Sequence, residues 1–140
     1  MLNDETRLPG AAELVAPYVE PETDAVVEFG GGWGRNLAAI LGASGRKDIV
    51  YINCEQSMSG RTASEALFSH IGEAEHLSRE FQFEAPETEF LGRFSNIVAF
   101  TYAAVEQMPF IHYSFLEQIM GAAAKVTLVH VEPLHRKGVL

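Results

Sequence analysis

Ala25-Val26-Val27-Glu28-Phe29-Gly30-Gly31-Gly32-Trp33-Gly34-Arg35-Asn36 is the stretch whose reading decides the fold. An apolar run carrying one acid, Glu28, leads into glycines at 30, 31, 32 and 34, and a helical pattern opens at Arg35. Glycine at alternate positions lets the backbone take positive φ and lets a ligand approach the main chain with no Cβ in the way. A plain tight turn between strand and helix needs one such residue, so this density favours a ligand cradle. A strand that ends in such a loop and opens a helix is where an α/β sheet holds a nucleotide-like ligand.

Outward from this loop, strand and helix patterns alternate, which implies a parallel sheet with helices on both faces. Residues 10–18 read as a short leading helix stopped at Pro17, and Asp24 to Phe29 as the first strand. Arg35 to Leu41 reads as a helix ended by Gly42 and Gly45, and Asp48 to Cys54 as a buried second strand. Residues 59–71 give a helix with Ala63, Ala66, Leu67 and Ile71 on one face and Ser59 as its cap. Residues 73–80 read as helix end or loop, and Glu80 to Glu84 alternates like a third, edge strand. Ile97 to Thr101 is a fourth strand, Pro109 to Met120 a helix with proline in its first turn, and Val126 to Val131 a fifth strand.

The bulk numbers bound the function. A chain of 140 residues with 47% apolar content is read as a single domain, 1–140, able to bury a core. A net charge of −9 argues against a broad nucleic-acid or anionic-membrane surface and favours a small-molecule substrate. A lone cysteine, Cys54, forms no internal disulfide and points to a reducing, cytoplasmic setting; its apolar strand suits a buried small hydrophobe better than a nucleophile. The polar, acidic start is no secretory signal, and no apolar run nears the ~20 residues of a membrane span.

The order Glu28-x-Gly30-x-Gly32-x-Gly34 resembles the cofactor loop of class I, Rossmann-like S-adenosylmethionine-dependent methyltransferases. A dinucleotide fingerprint fits less well, because its third glycine would fall at Arg35. The methyl donor carries a positive sulfonium and no phosphate, so an acid at the strand tip and no lysine in the loop make electrostatic sense. The resemblance spans roughly residues 24–133 and implies S-adenosylmethionine as cofactor on a doubly wound sheet of about five parallel strands with flanking helices. Members of this superfamily close the sheet with two more strands that nothing after Glu132 supplies, so the expectation is a fragment or a minimal version. The open sheet edge of such a fragment leaves room for a homodimer.

For the cofactor, the main chain of Gly30, Gly31, Gly32 and Gly34 is expected to meet the donor's carboxylate, with Glu28 near its ammonium group or else a strand-end acid in solvent. Glu55 lies 23 residues after Gly32, close to the ~20 of a βαβ unit, and suits the two ribose hydroxyls. Its alternative is a helix-capping acid. Gln56 beside it and Thr101 at the end of the fourth strand complete the expected cofactor set. Glu84 is the candidate for the adenine amino group, in an acid-rich segment where a solvated loop acid is the competing reading. Trp33 is expected to pack as a structural aromatic, against the leading helix or the cofactor.

The acceptor should lie beyond the carboxyl ends of the fourth and fifth strands, which makes Glu106 and His130 the candidate catalytic bases, with Tyr102 and His112 as orienting groups. The bland alternatives are a helix-start acid for Glu106 and a satisfied core histidine for His130. No Asp/Asn-Pro-Pro-Tyr/Phe follows the fourth strand, so the amino-group methyltransferase signature is missing. The strand ends offer no clustered Asp or Asn ligands, and no metal is expected. The loop and Val105-Glu106-Gln107-Met108 are similar to those of sugar or small-molecule O-methyltransferases, which implies methylation at oxygen. Two competitors stand beside this reading: a non-catalytic scaffold domain that keeps the fold, and an NAD(P)-dependent oxidoreductase.

Overall fold

The computed structural model describes residues 10–103 and 113–132. Helix α1 (Ala11–Val15) continues as a 3-10 turn over Ala16–Tyr18, the tight geometry falling where Pro17 removes a backbone donor. The chain then runs through β1 (Ala25–Phe29), α2 (Arg35–Ser44), β2 (Val50–Glu55), α3 (Met58–Ile71) and β3 (Glu75–Glu80). A 3-10 turn at Glu89–Arg93 leads to β4 (Asn96–Tyr102), α4 (Tyr113–Met120) and β5 (Lys125–Val131).

All five strands are parallel, in the order β3-β2-β1-β4-β5. This is a Rossmann-like α/β sheet, as the alternation of patterns implied. Strand β1 is buried at every position, because helices cover both faces and period-2 alternation has no solvent side to report. Val27, Phe29, Ile52, Cys54, Ile97 and Ala99 point to one face, where Phe115 and Ile119 of α4 pack with Leu91 and Phe94. Val26, Tyr51, Val98 and Phe100 point to the other, against Val15 of α1, Leu37, Ile40 and Leu41 of α2, and Phe68 of α3.

Several element readings need correction. Gly42 lies inside α2, which ends at Gly45, where φ is 66° and the N–H bonds to the Leu41 carbonyl at 2.9 Å. The cap of α3 is Ser57, whose hydroxyl accepts from the Gly60 N–H at 3.1 Å, and not Ser59. Its buried residues are Ser64 and Phe68, while Ala63 and Ala66 are exposed. The third strand is Glu75–Glu80, not Glu80 to Glu84. It is an edge strand, as expected. The first residues of the helix placed at Pro109 to Met120 lie outside the described residues, and Tyr113–Met120 is helical.

The amino end of the sheet is gathered by Asp24. Its Oδ2 accepts from the Ser95 N–H at 2.8 Å and its Oδ1 from the Asn96 N–H at 3.0 Å, while its own N–H donates to the Asn96 carbonyl at 2.9 Å. Its carbonyl accepts from Val50 at 3.2 Å, so one residue sets the starts of β4, β1 and β2. Asp24→Ala removes a charged acceptor from two N–H groups and is expected to lower stability by about 1–3 kcal/mol in urea denaturation, with Asp24→Asn losing less.

Candidate functional site

From β1 the chain winds through β2 to β3, then returns to the other flank of β1 with β4. Connections therefore leave the carboxyl ends of β1 and β4 in opposite directions, and the crevice between them is where an open α/β sheet takes its ligand. The glycine loop fills the exit from β1.

Gly30, Gly32 and Gly34 have φ of 78°, 56° and 86°, conformations that side chains with a Cβ rarely adopt. Gly31 is required for space instead: a Cβ there would lie 2.2 Å from Asn53 Oδ1 and 3.0 Å from Glu28 Oε1. Strand β2 grips the next residue from both sides. The Gly32 N–H donates to Glu55 Oε1 at 3.1 Å, and its carbonyl accepts from Asn53 Nδ2 at 2.8 Å. The Gly30 N–H donates to the Cys54 carbonyl at 2.7 Å and the Gly34 N–H to the Gly31 carbonyl at 3.1 Å. Three of the N–H groups expected to meet a ligand carboxylate are thus bonded within the protein. Donors for such a group are to be sought at Gly31, Trp33 and the first turn of α2.

Glu28 pairs across the sheet with Asn53, and both are buried. Its Oε2 accepts from Asn36 Nδ2 at 2.9 Å, whereas Oε1 and the Asn53 Oδ1 are buried with no hydrogen-bond partner. Burial pushes the Glu28 carboxyl up to about 7, opposed by the Asn36 bond and assisted by the charge of Glu55. Glu28 therefore lies beneath the loop and not in solvent at the strand end.

Glu55 is half-buried at the tip of β2, its Oε2 accepting from the Ser57 N–H at 2.7 Å. Each carboxylate oxygen can accept a second bond, so capacity for two donors remains. Arg61 Nη1 donates to the carbonyls of Glu55 and Gln56, at 2.9 and 2.8 Å, and fixes the path from β2 into α3. The Gln56 side chain is exposed.

Beyond β3, whose Glu80 pairs with Glu55, opens a groove of about 450 Å³ lined by Arg79, Glu80, Phe81, Gln82, Ala85 and Glu87. Glu84 is exposed in the turn between these residues, four positions past the strand end at Glu80, and not at the end of the third strand. Trp33 is 53% exposed, so it is not packed into the protein as a structural aromatic. Cys54 is fully buried and desolvation raises its thiol pKa, which makes it inert as a nucleophile.

Across the crevice, the buried Thr101 Oγ1 lies 2.7 Å from His130 Nδ1 and 3.2 Å from Glu132 Oε1. His130 is exposed and is no core histidine. Glu106 and His112 lie outside the described residues. The residues that sequence reasoning passed over are Asn53, Asn36 and Ser57. Asn53 did carry a signal, a polar residue inside the apolar run Val50-Tyr51-Ile52-Asn53-Cys54. Among the described residues, no helix is long and apolar enough to cross a membrane, and no group of three or more His, Cys, Asp or Glu gathers as a metal site.

No family model matches the chain, and no curated protein matches it in sequence. Among solved structures it is similar to the crystal structure of the YcgJ protein from Bacillus subtilis, with a TM-score of 0.53 and 12% identity. The likeness covers 71% of this chain and 40% of that one, so the chain spans less than half the length of this neighbour. At that identity the two share a Rossmann-like fold.

The raised Glu28 pKa has a stability consequence. Between the ordinary value of 4.5 and about 7, the folded protein holds the proton more tightly than the unfolded chain. The Glu28 contribution therefore falls as pH rises through that window and is level above it. Glu28→Gln lacks the ionisation and supplies a donor toward Asn53. Its stability relative to the parent is expected to rise by about 1 kcal/mol between about pH 6 and pH 8, read by urea denaturation at both values. A gap that stays constant would show that Glu28 ionises normally.

Proposed function

We propose that this protein binds S-adenosylmethionine and methylates a small acceptor at oxygen. The observation that carries the reading is the grip of Glu55 on the glycine loop: one carboxylate holds the Gly32 and Ser57 N–H groups and keeps acceptor capacity for two hydroxyls. Two more oxygens without partners, on Glu28 and Asn53, lie directly below. Acceptors at the loop and buried beneath it suit a cation and a diol better than a pyrophosphate. The described lysines, Lys47 and Lys125, stand at the opposite end of the sheet, before β2 and at the start of β5.

When bound, the cofactor supplies an electrophilic methyl group on a positive sulfur. Glu55 would hold the ribose hydroxyls and the loop backbone the amino-acid part. The groove beyond β3 would take the base, with Arg79, Glu80, Gln82 and Glu87 as its polar lining. Glu28, covered by Gly31, acts on such a ligand through its field and through Asn36, not by contact. Alignment of acceptor, carbon and sulfur supplies much of the rate in a displacement of this kind.

Calorimetric titration with S-adenosylhomocysteine tests the reading. The folded protein is expected to bind it in preference to NAD, and Glu55→Ala to weaken binding about tenfold or more, as expected for losing hydrogen bonds to a charged group. A folded protein that binds neither, or Glu55→Ala with parental affinity, would remove the assignment. Preference for NAD would transfer it to a dinucleotide enzyme.

A further inference from the structure

The carboxyl end of β4 faces that of β5, where three polar side chains form a chain. In the parallel register Thr101 pairs with His130, and Glu132 follows directly after β5. Thr101 Oγ1 contacts both His130 Nδ1, at 2.7 Å, and Glu132 Oε1, at 3.2 Å. Ala103 pins this end: it adopts φ 54°, rare for a residue with a Cβ, and its N–H donates to the Val131 carbonyl at 2.7 Å. In the β1–β4 register Glu28 pairs with Phe100, which sets Thr101 one residue further on, level with Phe29 at the end of β1.

Proton counting ties the directions of the two contacts together. A carboxylate only accepts, and a threonine hydroxyl has one proton to give. If Thr101 donates to Glu132, the remaining contact requires His130 to donate from Nδ1. The neutral imidazole is then bare at Nε2, on an exposed residue whose Nε2 makes no hydrogen bond among the described residues. This orientation by a relayed carboxylate is how a histidine is held as a general base.

From this arrangement we infer that Thr101 and Glu132 are positioning residues that set His130 as the proton acceptor for a substrate hydroxyl at the mouth of the crevice. Thr101 thereby serves the acceptor side and not the cofactor. The step rests on the methyltransferase reading: the acceptor oxygen bonds to the methyl carbon, the carbon–sulfur bond breaks with its electron pair going to sulfur, and the hydroxyl proton ends on His130 Nε2. The tautomer itself is independent of that reading and is measurable in the protein alone.

The test is nitrogen-detected NMR of the His130 ring at about pH 8, where an ordinary imidazole is neutral. The expected spectrum shows the proton on Nδ1 and an unprotonated Nε2. Thr101→Val and Glu132→Ala are both expected to shift the population toward Nε2–H, the first by removing the acceptor and the second by freeing the hydroxyl to donate to Nδ1. A fold intact in either variant suffices, because each breaks the chain at a different link. A majority of Nε2–H in the parent protein, or Nδ1–H persisting in a folded variant, overturns the inference. Such a result leaves S-adenosylhomocysteine binding untouched. Conversely, the expected tautomer in a protein that fails to bind that nucleoside would retire the methyltransferase reading and keep the relay.

Discussion

The hold of β2 on Gly32 organises everything at the carboxyl end of the sheet. A loop of four glycines in five residues is expensive to order, since each loses more backbone freedom than any other residue. Here the loss is offset by pairing both polar groups of one peptide residue with β2: Glu55 takes the N–H and Asn53 gives to the carbonyl. The geometry works only because Gly31 has no Cβ, since the space it would need is filled by Asn53 Oδ1. Sequence, loop path and acid placement are therefore one constraint. Moving any of the three releases the other two.

That constraint also explains an apparent extravagance, a carboxyl group buried under the same loop. Glu28 cannot reach solvent, and burial raises its pKa to about 7 even with Asn36 bonded to it. An apolar residue at this position would fold more cheaply in isolation. What a carboxyl adds is a proton held up to about pH 7 and, above that, negative potential directly below the loop. Asn36 completes the arrangement from the first turn of α2, so the loop, its helix and both central strands share one polar network.

Much of this was legible in the residues. The apolar run into alternating glycines locates β1, the loop and α2, and the spacing to Glu55 reflects the length of a βαβ unit. The edge of the sheet was less legible, for a physical reason. Strand Glu75-His76-Leu77-Ser78-Arg79-Glu80 turns polar residues, His76 and Ser78, toward α3. His76 stacks on Phe68 at 4.2 Å and makes hydrogen bonds to Ser64 and the Tyr51 carbonyl, so a polar residue does the packing that an aliphatic one would signal. The alternation at Phe81-Gln82-Phe83 misled in the opposite direction. Those aromatics plug the floor of the sheet from a turn, with Phe81 4.8 Å from Phe29 and Phe83 5.0 Å from Phe115.

The two ends of the sheet treat polar groups differently. At the amino end, Asp24 satisfies Ser95 and Asn96, while Arg46 reaches Asp48 and the carbonyls of Glu20 and Thr23. These groups close the structure and face one another. At the carboxyl end, buried oxygens on Glu28 and Asn53 lack partners, and Glu55 retains acceptor capacity. A fold gains nothing from buried acceptors left unpaired, since each carries a desolvation penalty of about 1–3 kcal/mol. They are concentrated beneath one loop, at the point where the winding reverses, so the carboxyl end is the end whose polar groups are left open.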